Sequence, residues 1–199
     1  MTENKLQLNA DKAETILFNS SKLEHPPVPL SICQATMCFS DSVRNLGFYL
    51  NEDLSMKEYI SFICQTAFLE IRRISAIHHY LTDDATQTLV VFLVLSRIDY
   101  CNSLLAGFPQ SLVSKLQRVK SSVARLVVRV LPQVYITPIL RHLHWLPVRA
   151  QISYKTACLC FNAITSSTSA YLPDLLHLYS PSRSLRSRAD TRLLKIPLC

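Results

Sequence analysis

The stretch QSLVSKLQRVKSSVARLVVRV, residues 110–130, decides the fold class because its apolar residues recur at intervals of three and four. That spacing puts them on one side of an α-helix and predicts a helix over 110–130. The members of this apolar stripe are Leu112, Leu116, Val119, Val123, Leu126 and Val130. A helix of this length with one apolar side is typical of a packed helical unit.

A second stripe of the same predicted helix is basic. Lys115, Arg118, Arg125 and Arg129 follow the helical repeat, with Ser122 between them. At a rise of 1.5 Å per residue, the four cations extend along roughly 20 Å of one helix side. A solvated side of an amphipathic helix is the simpler interpretation, but such surfaces usually mix both signs of charge. We therefore predict that these four residues contact nucleic-acid phosphates.

The charge of the whole chain supports this prediction. Residues 1–99 contain 8 Lys/Arg and 12 Asp/Glu, a net charge of −4, whereas residues 100–199 contain 13 and 2, a net charge of +11. No acidic residue occurs from Tyr100 through Pro173. A segment of this kind repels itself unless an anion lies beside it, and nucleic acid is the first candidate, ahead of an anionic membrane surface.

Composition and periodicity predict a mainly α chain with a small N-terminal α/β piece. Apolar residues make up 49% of the 199 residues, and the chain has only two glycines, which disfavours architectures rich in tight turns. Short strands are predicted at 6–9 and 15–18, and an extended segment at 43–51 with a bend or a close backbone approach at Gly47. The further predicted helices are 55–80, 83–105, 137–143 and 147–164.

The motif LTDDA, residues 81–85, contains the paired aspartates that polymerases use to hold metal ions. Thr82 is nevertheless a good N-cap, and acidic residues suit the first turn of a helix. A catalytic metal site needs carboxylates that converge from separate elements, and no upstream partner is apparent. We interpret the motif as the start of a helix.

The seven cysteines show no zinc-binding spacing, and the first 15 residues are polar and charged rather than a secretory signal. We expect reduced and mostly buried thiols in an intracellular protein, cytoplasmic or nuclear and not secreted. The longest apolar run, residues 88–95, is too short to span a bilayer, so no membrane segment is predicted.

Four stretches, in order, resemble the reverse transcriptases of LINE-type, jockey-like non-LTR retrotransposons. LQLNADKAETILF (6–18) is similar to a Leu-Asn-x-x-Lys-Thr-Glu block, and VRNLGFYLNEDLSMKEYI (43–60) to the following Leu-Gly-x-x-Leu-Asp block. SRIDYCNSLLAGFP (96–109) with KLQRVKSSVARLV (115–127) resembles the thumb, and ITPILRHLHWLPVRAQISYK (136–155) the segment after it. No single motif is decisive, but four in the family's order are specific.

The resemblance implies the end of a polymerase palm over 1–54, a helical thumb-like bundle and post-thumb region over 55–164, and a Ser/Arg-rich tail over 165–199. The family's aspartates, which bind Mg²⁺, precede the first block, so the resemblance places no catalytic centre or cofactor in this chain. It makes Lys12 an accessory residue near the incoming nucleotide's phosphates, and Leu46-Gly47 a turn that guides the primer end. Here the block reads Lys-Ala-Glu-Thr, which departs from Lys-Thr-Glu.

The expected function is that of a fragment of an RNA-directed DNA polymerase, inactive alone, whose thumb contacts the RNA/DNA primer–template, with the palm and fingers upstream. The alternative is a co-opted, non-catalytic basic helical adaptor that binds nucleic acid or a protein. A third hypothesis, an unrelated enzyme, rests on the histidines and cysteines. His142-x-His144 beside Trp145 is more simply a helix-end packing cluster, and no Ser/His/Asp or Cys/His order is readable.

Overall fold

The computed structural model describes residues 12–18, 28–32, 35–165, 171 and 176, and over these residues the chain is mainly helical with a small strand-bearing piece first. This confirms the predicted fold class at the level of secondary structure. The chain divides into two compact units, Met1–Val148 and Arg149–Cys199. The predicted boundaries at 54 and 164, which follow from the resemblance, stay predictions.

Two separate antiparallel hairpins form the strand-bearing piece. Strands β1 (Leu30–Ile32) and β2 (Ala35–Met37) pair in one sheet, and β3 (Ser42–Asn45) and β4 (Phe48–Asn51) pair in the other. The predicted extended segment at 43–51 is therefore confirmed. The predicted strand at 15–18 is wrong, because Thr15 makes only an isolated parallel bridge to Phe39. The strand predicted at 6–9 lies outside the described residues.

The turn between β3 and β4 consists of Leu46 and Gly47, whose φ angles are 49° and 84°. Positive φ at both central residues is what a two-residue hairpin turn needs, because it matches the right-handed twist of the strands. The predicted bend at Gly47 is confirmed. A close backbone approach is not, since a Cβ at Gly47 would have no atom within 4 Å.

Six α-helices follow among the described residues. The long α1 (Lys57–Ile77) continues into a 3₁₀ turn at His78–Tyr80, and α4 (Gln110–Val128) is the other long helix of the first unit. The bounds of the remaining four helices are α2 Asp83–Val90, α3 Ser96–Asp99, α5 Ile136–His142 and α6 Val148–Thr165. A π-helical segment, Val91–Leu95, joins α2 to α3. The predictions for 55–80, 137–143 and 147–164 are confirmed.

The helix predicted over 83–105 is too long. It ends at Asp99, because Cys101 has a left-handed backbone with φ 53°, and a 3₁₀ turn takes up Asn102–Leu105. The predicted linker at 165–169 lies outside the described residues except for Thr165, as does the tail from Ser180.

The core of the first unit lies where α4 packs against α1 and α2. The predicted apolar stripe is buried from Leu112 to Val123, and Val127 then takes the buried position, with Leu126 and Val130 half-buried. Residues of α1, of α2 and of the π-helical segment in the same unit are fully enclosed. Examples are Ile60, Ala67, Ile74, Val90 and Val94.

Tyr59, near the start of α1, joins the second hairpin to the helices. Its ring packs on Phe48 of β4 with centroids 4.1 Å apart, and its hydroxyl donates to the Tyr100 carbonyl at 3.2 Å. Burial raises the pKa of Tyr59 to about 12. Tyr100 in turn donates its hydroxyl to the Leu46 carbonyl at 2.8 Å, so the turn at 46–47 is tied to the end of α3.

The interpretation of LTDDA as a helix start is confirmed. Thr82 has extended backbone angles, and its Oγ1 accepts a hydrogen bond from the Ala85 amide at 3.2 Å. Asp83 and Asp84 occupy the first turn of α2, where their charges favour the helix dipole.

Replacing Thr82 with alanine removes this cap, and we expect it to lower the free energy of unfolding by about 1 kcal/mol. Thr88→Ala is the matched control, since the exposed Thr88 hydroxyl bonds only the Asp84 carbonyl within the helix. Urea denaturation of both variants checks this. Equal losses in the two variants would show that Thr82 does not cap the helix.

Candidate nucleic-acid interface

The candidate interface is the seam between α1 and α4, which run side by side in the same direction. Residues 61–68 of α1 lie across from 115–118 of α4, and 71–78 lie across from 122–130. Each of these two regions encloses a cavity. We call the whole seam the basic groove, because its four Lys and Arg side chains are the predicted residues Lys115, Arg118, Arg125 and Arg129.

The cavity nearer the N-terminal ends of the helices, the Lys115 cavity, has a volume of about 320 Å³. Its lining residues are Ser61, Cys64, Gln65, Phe68, Lys115 and Arg118. Neither cation forms an ion pair with any described residue. Burial raises the pKa of the Cys64 thiol, and the charges of Lys115 and Arg118 oppose that rise. The structure thus brings these two predicted residues together with their charges uncompensated.

The second cavity, the Arg125 cavity, has a volume of about 400 Å³. Its polar lining consists of Ser75, His78, Ser122, Arg125 and Arg129. Arg125 donates through Nη2 to the Val134 carbonyl at 3.2 Å. Its Nε and the Nε2 of His78 are buried and have no hydrogen-bond partner. Leaving a buried polar atom unpaired costs about 1–3 kcal/mol, so both atoms need explaining.

Arg129 lies one residue beyond the end of α4. The helix ends at Val128, and Arg129 follows with a left-handed backbone, φ 56°. Its Nε donates to Asp83 Oδ1 at 3.0 Å, and its Nη2 donates to the Leu81 carbonyl at 2.8 Å. The predicted helix is therefore two residues too long, and Arg129 lines the groove from the position that follows α4.

The remaining cation of α4, Lys120, lies on the opposite side of the helix from the groove. It is buried in the core, and burial lowers the pKa of its ammonium while the charge of Asp99 opposes that change. Lys120 therefore adds nothing to the groove surface.

The other predicted site residues lie in the strand-bearing piece. Lys12 is exposed at the start of segment 12–18. In that segment the Glu14 carboxylate accepts from the Arg44 amide of β3 at 3.0 Å. Leu46 is 86% exposed at the tip of the second hairpin, beside Gly47. Lys12, Leu46 and Gly47 are not among the residues that line the two cavities of the groove.

Sequence reasoning missed the α1 side of the groove. Ser61, Gln65, Phe68, Ser75 and His78 line it from α1 and its 3₁₀ extension. They also recur at steps of three, four and seven, but the pattern mixes polar and aromatic residues, so neither hydropathy nor charge singles it out. Only the packing against α4 identifies them.

The histidine cluster at the end of α5 has the structural role expected of it. His144 has a left-handed backbone, and the Trp145 amide donates to the Leu140 carbonyl at 2.8 Å, which ends the helix in a Schellman-type turn. Trp145 packs against Ala124, Ile139 and Leu140.

The expectation of mostly buried thiols is wrong for the described cysteines. Cys38 is exposed, and four others are half-buried, namely Cys64, Cys101, Cys158 and Cys160. All five are free thiols. Within the described ranges, no three His, Cys, Asp or Glu side chains are grouped so that they could hold a metal ion. In the same part of the chain, no helix is both long and apolar enough to cross a membrane.

Comparison with known proteins identified no relative. The sequence matches no protein-family model, no curated protein and no solved structure. The resemblance to non-LTR reverse transcriptases therefore stays a prediction that rests on the four sequence stretches.

Arg129 and Asp83 offer a test of the groove's end. Both side chains are largely exposed, so we expect a coupling energy below about 1 kcal/mol in a double-mutant cycle of Arg129→Gln and Asp83→Asn. Arg129→Gln alone should destabilise more than Asp83→Asn, because it also removes the bond to Leu81.

Urea denaturation at low and high salt measures both quantities. Screening should reduce the coupling at high salt and leave the bond to the Leu81 carbonyl largely unaffected. A coupling well above 2 kcal/mol would contradict this description of Arg129.

Proposed function

We propose that the chain binds the sugar–phosphate backbone of nucleic acid in the basic groove between α1 and α4. The observation that carries the proposal is the charge of the groove. Among the residues that the structure describes, four Lys and Arg side chains line its two cavities, and no Asp or Glu does. Phosphate contacts of this kind supply most non-specific affinity for nucleic acid and do not depend on base sequence.

Lys115 and Arg118 contribute most under this proposal. They belong to one turn of α4 and have no carboxylate partner among the described residues. Arg129 contributes less, because Asp83 already neutralises part of its charge. The backbone of a nucleic acid brings many phosphates, which relieves the repulsion among cations in a segment without acids between residues 100 and 173.

The broader part of the proposal is that the chain derives from the end of the palm and the thumb of a non-LTR reverse transcriptase. Contacts between the resembling stretches support it. Thr15 in the first stretch bridges to Phe39, just before the second, and Glu14 accepts from the Arg44 amide within the second. Tyr100 of the third stretch bonds the Leu46 carbonyl. Contacts of this kind are expected of stretches that belong to one folded unit, as the end of a palm and a thumb would.

On this proposal the chain alone is not a polymerase. The Mg²⁺-binding aspartates, palm and fingers belong to an upstream region of the full-length polymerase, and the groove takes the primer–template backbone. Lys12 then acts near the incoming nucleotide's phosphates, and the Leu46-Gly47 turn guides the primer end. The exposed position of Lys12 and the protruding turn are compatible with these roles.

A second candidate function is that of an adaptor that binds a protein partner. Large apolar side chains that stay exposed on the helical part and the hairpin favour it. The exposed fractions are 86% for Leu46, 76% for Phe92, 46% for Leu69 and 41% for Phe62. Binding at these side chains would depend little on salt, which separates this candidate from the first.

The double variant Lys115→Gln/Arg118→Gln tests the first candidate. Loss of two phosphate contacts should weaken binding to a DNA or RNA–DNA duplex at low salt. It should also reduce the slope of log affinity against log salt concentration by about 1.8, at about 0.9 per contact. Fluorescence anisotropy at several salt concentrations measures both effects.

The matched control is Arg97→Gln/Arg141→Gln, which removes the same charge from exposed positions outside the groove. Its salt slope should stay close to that of the unaltered chain. Equal effects of the two double variants would mean that net charge alone, and not the groove, attracts the nucleic acid. If the affinity of the unaltered chain for the duplex does not change with salt concentration, the proposal is contradicted and a protein partner is favoured.

A further inference from the structure

We infer that the Arg125 cavity is a discrete binding site for a single phosphate group. This goes beyond the proposed function, since backbone binding along the groove needs only surface cations. The inference starts from two buried nitrogens, each of which needs a hydrogen-bond partner. The Nε2 of His78 and the Nε of Arg125 are both enclosed, and both lack a hydrogen-bond partner.

The two unpaired nitrogens belong to residues that line the same cavity from different elements. His78 comes from the 3₁₀ turn after α1, and Arg125 comes from the last turn of α4. Arg125 always carries an N–H at Nε, and a neutral histidine can carry its proton at Nε2. With the His78 proton at Nε2, both nitrogens are donors and cannot pair with each other, and a ligand with acceptor atoms then satisfies both.

The charge of the cavity selects an anion. Arg125 and Arg129 line it, and none of the described lining residues is acidic. In the same part of the chain, the carboxylate of Asp83 alone forms an ion pair with a lining residue, and it accepts from Arg129 Nε. Ser75 and Ser122 add hydroxyl groups to the lining. Several N–H and O–H donors around one small volume suit a tetrahedral oxyanion, whose oxygens each accept bonds from different directions.

The cavity is large enough to admit a phosphate group. Its volume of about 400 Å³ is roughly thirteen times the ~30 Å³ that one water occupies in the liquid. Ile71, Leu126 and Val130 form an apolar wall, and a less polar surface beside Arg125 strengthens its interaction with an anion.

Binding requires a small local rearrangement, because neither unpaired nitrogen is exposed to solvent. The guanidinium of Arg125 is held at the Val134 carbonyl by a single hydrogen bond of 3.2 Å, and Val134 itself is exposed. The imidazole of His78 has no hydrogen bond at Nε2 to break. Both side chains can therefore turn toward a phosphate group in the cavity.

The test is an NMR titration of the unaltered ¹⁵N-labelled chain with sodium phosphate, at ionic strength held constant with sodium chloride. We expect saturable shifts of the His78 imidazole and Arg125 Nε resonances. Arg125→Gln should reduce phosphate affinity at least tenfold, whereas the matched charge variant Arg97→Gln should change it less than twofold. Shifts that do not saturate, or an equal loss in both variants, would overturn the inference.

Two oligonucleotides of one sequence, with and without a 5′-phosphate, identify the source of the phosphate. If free phosphate and the 5′-phosphorylated strand shift His78, the site takes a terminal or free phosphate. If both strands shift it equally and free phosphate does not, the site takes a backbone phosphodiester. No shift with any of the three contradicts the site. Affinity for oligonucleotides without a His78 shift would leave groove binding intact and reject only this site.

If the amide spectrum shows that Arg125→Gln does not fold, the titration of the unaltered chain tests the site by itself. Saturable shifts of the His78 imidazole then support the site, and shifts that do not saturate contradict it.

Discussion

Burial of the apolar side of α4 against α1 is the interaction on which the rest of the first unit depends. Leu116, Val119 and Val123 are almost completely enclosed, and Ile60, Ala67 and Ile74 of α1 are equally inaccessible. Such residues contribute about 1.5–3 kcal/mol each through loss of apolar surface to water. Once this packing is fixed, the basic side of α4, which adjoins its apolar side, must face the edge of α1. The basic residues therefore line a groove and do not point freely into solvent.

The Lys and Arg side chains on and just after α4 differ in whether a carboxylate lies beside them. Lys120 is taken into the core near Asp99, and Arg129 is taken by Asp83 at the start of α2. Both acids come from the first half of the sequence, so its negative charge compensates part of the positive second half. Lys115 and Arg118 have no such partner among the described residues. Uncompensated charge at one defined place on a folded unit is the feature that a ligand would use.

The sequence predicts the long elements well, because periodicity reports directly on which side of a helix is buried. The helix at 110–130 and the cap at Thr82 are both recognisable from local residues alone. The prediction fails where tertiary contacts or backbone geometry decide. Nothing local marks Cys101 or Arg129 as left-handed, yet Cys101 separates α3 from the following turn and Arg129 ends α4.

Only the α4 half of the candidate site can be predicted from the sequence. Charge counting finds Lys115, Arg118 and Arg125, since these residues repeat on one helix. It cannot find the opposite wall, because Ser61, Gln65 and His78 carry no common chemical signature. The unpaired nitrogens of His78 and Arg125 are likewise invisible in the sequence, since they arise only when two elements distant along the chain pack together.

The most direct test of nucleic-acid binding in the groove is a map of chemical-shift changes on the unaltered chain when a short RNA–DNA duplex is added. The account predicts the largest changes at the amides of Ser61 and Gln65 on α1 and of Lys115 and Arg118 on α4, with little change at Arg97 and Arg141. Changes concentrated at Phe92 or on α6, or no changes at low salt, would contradict it.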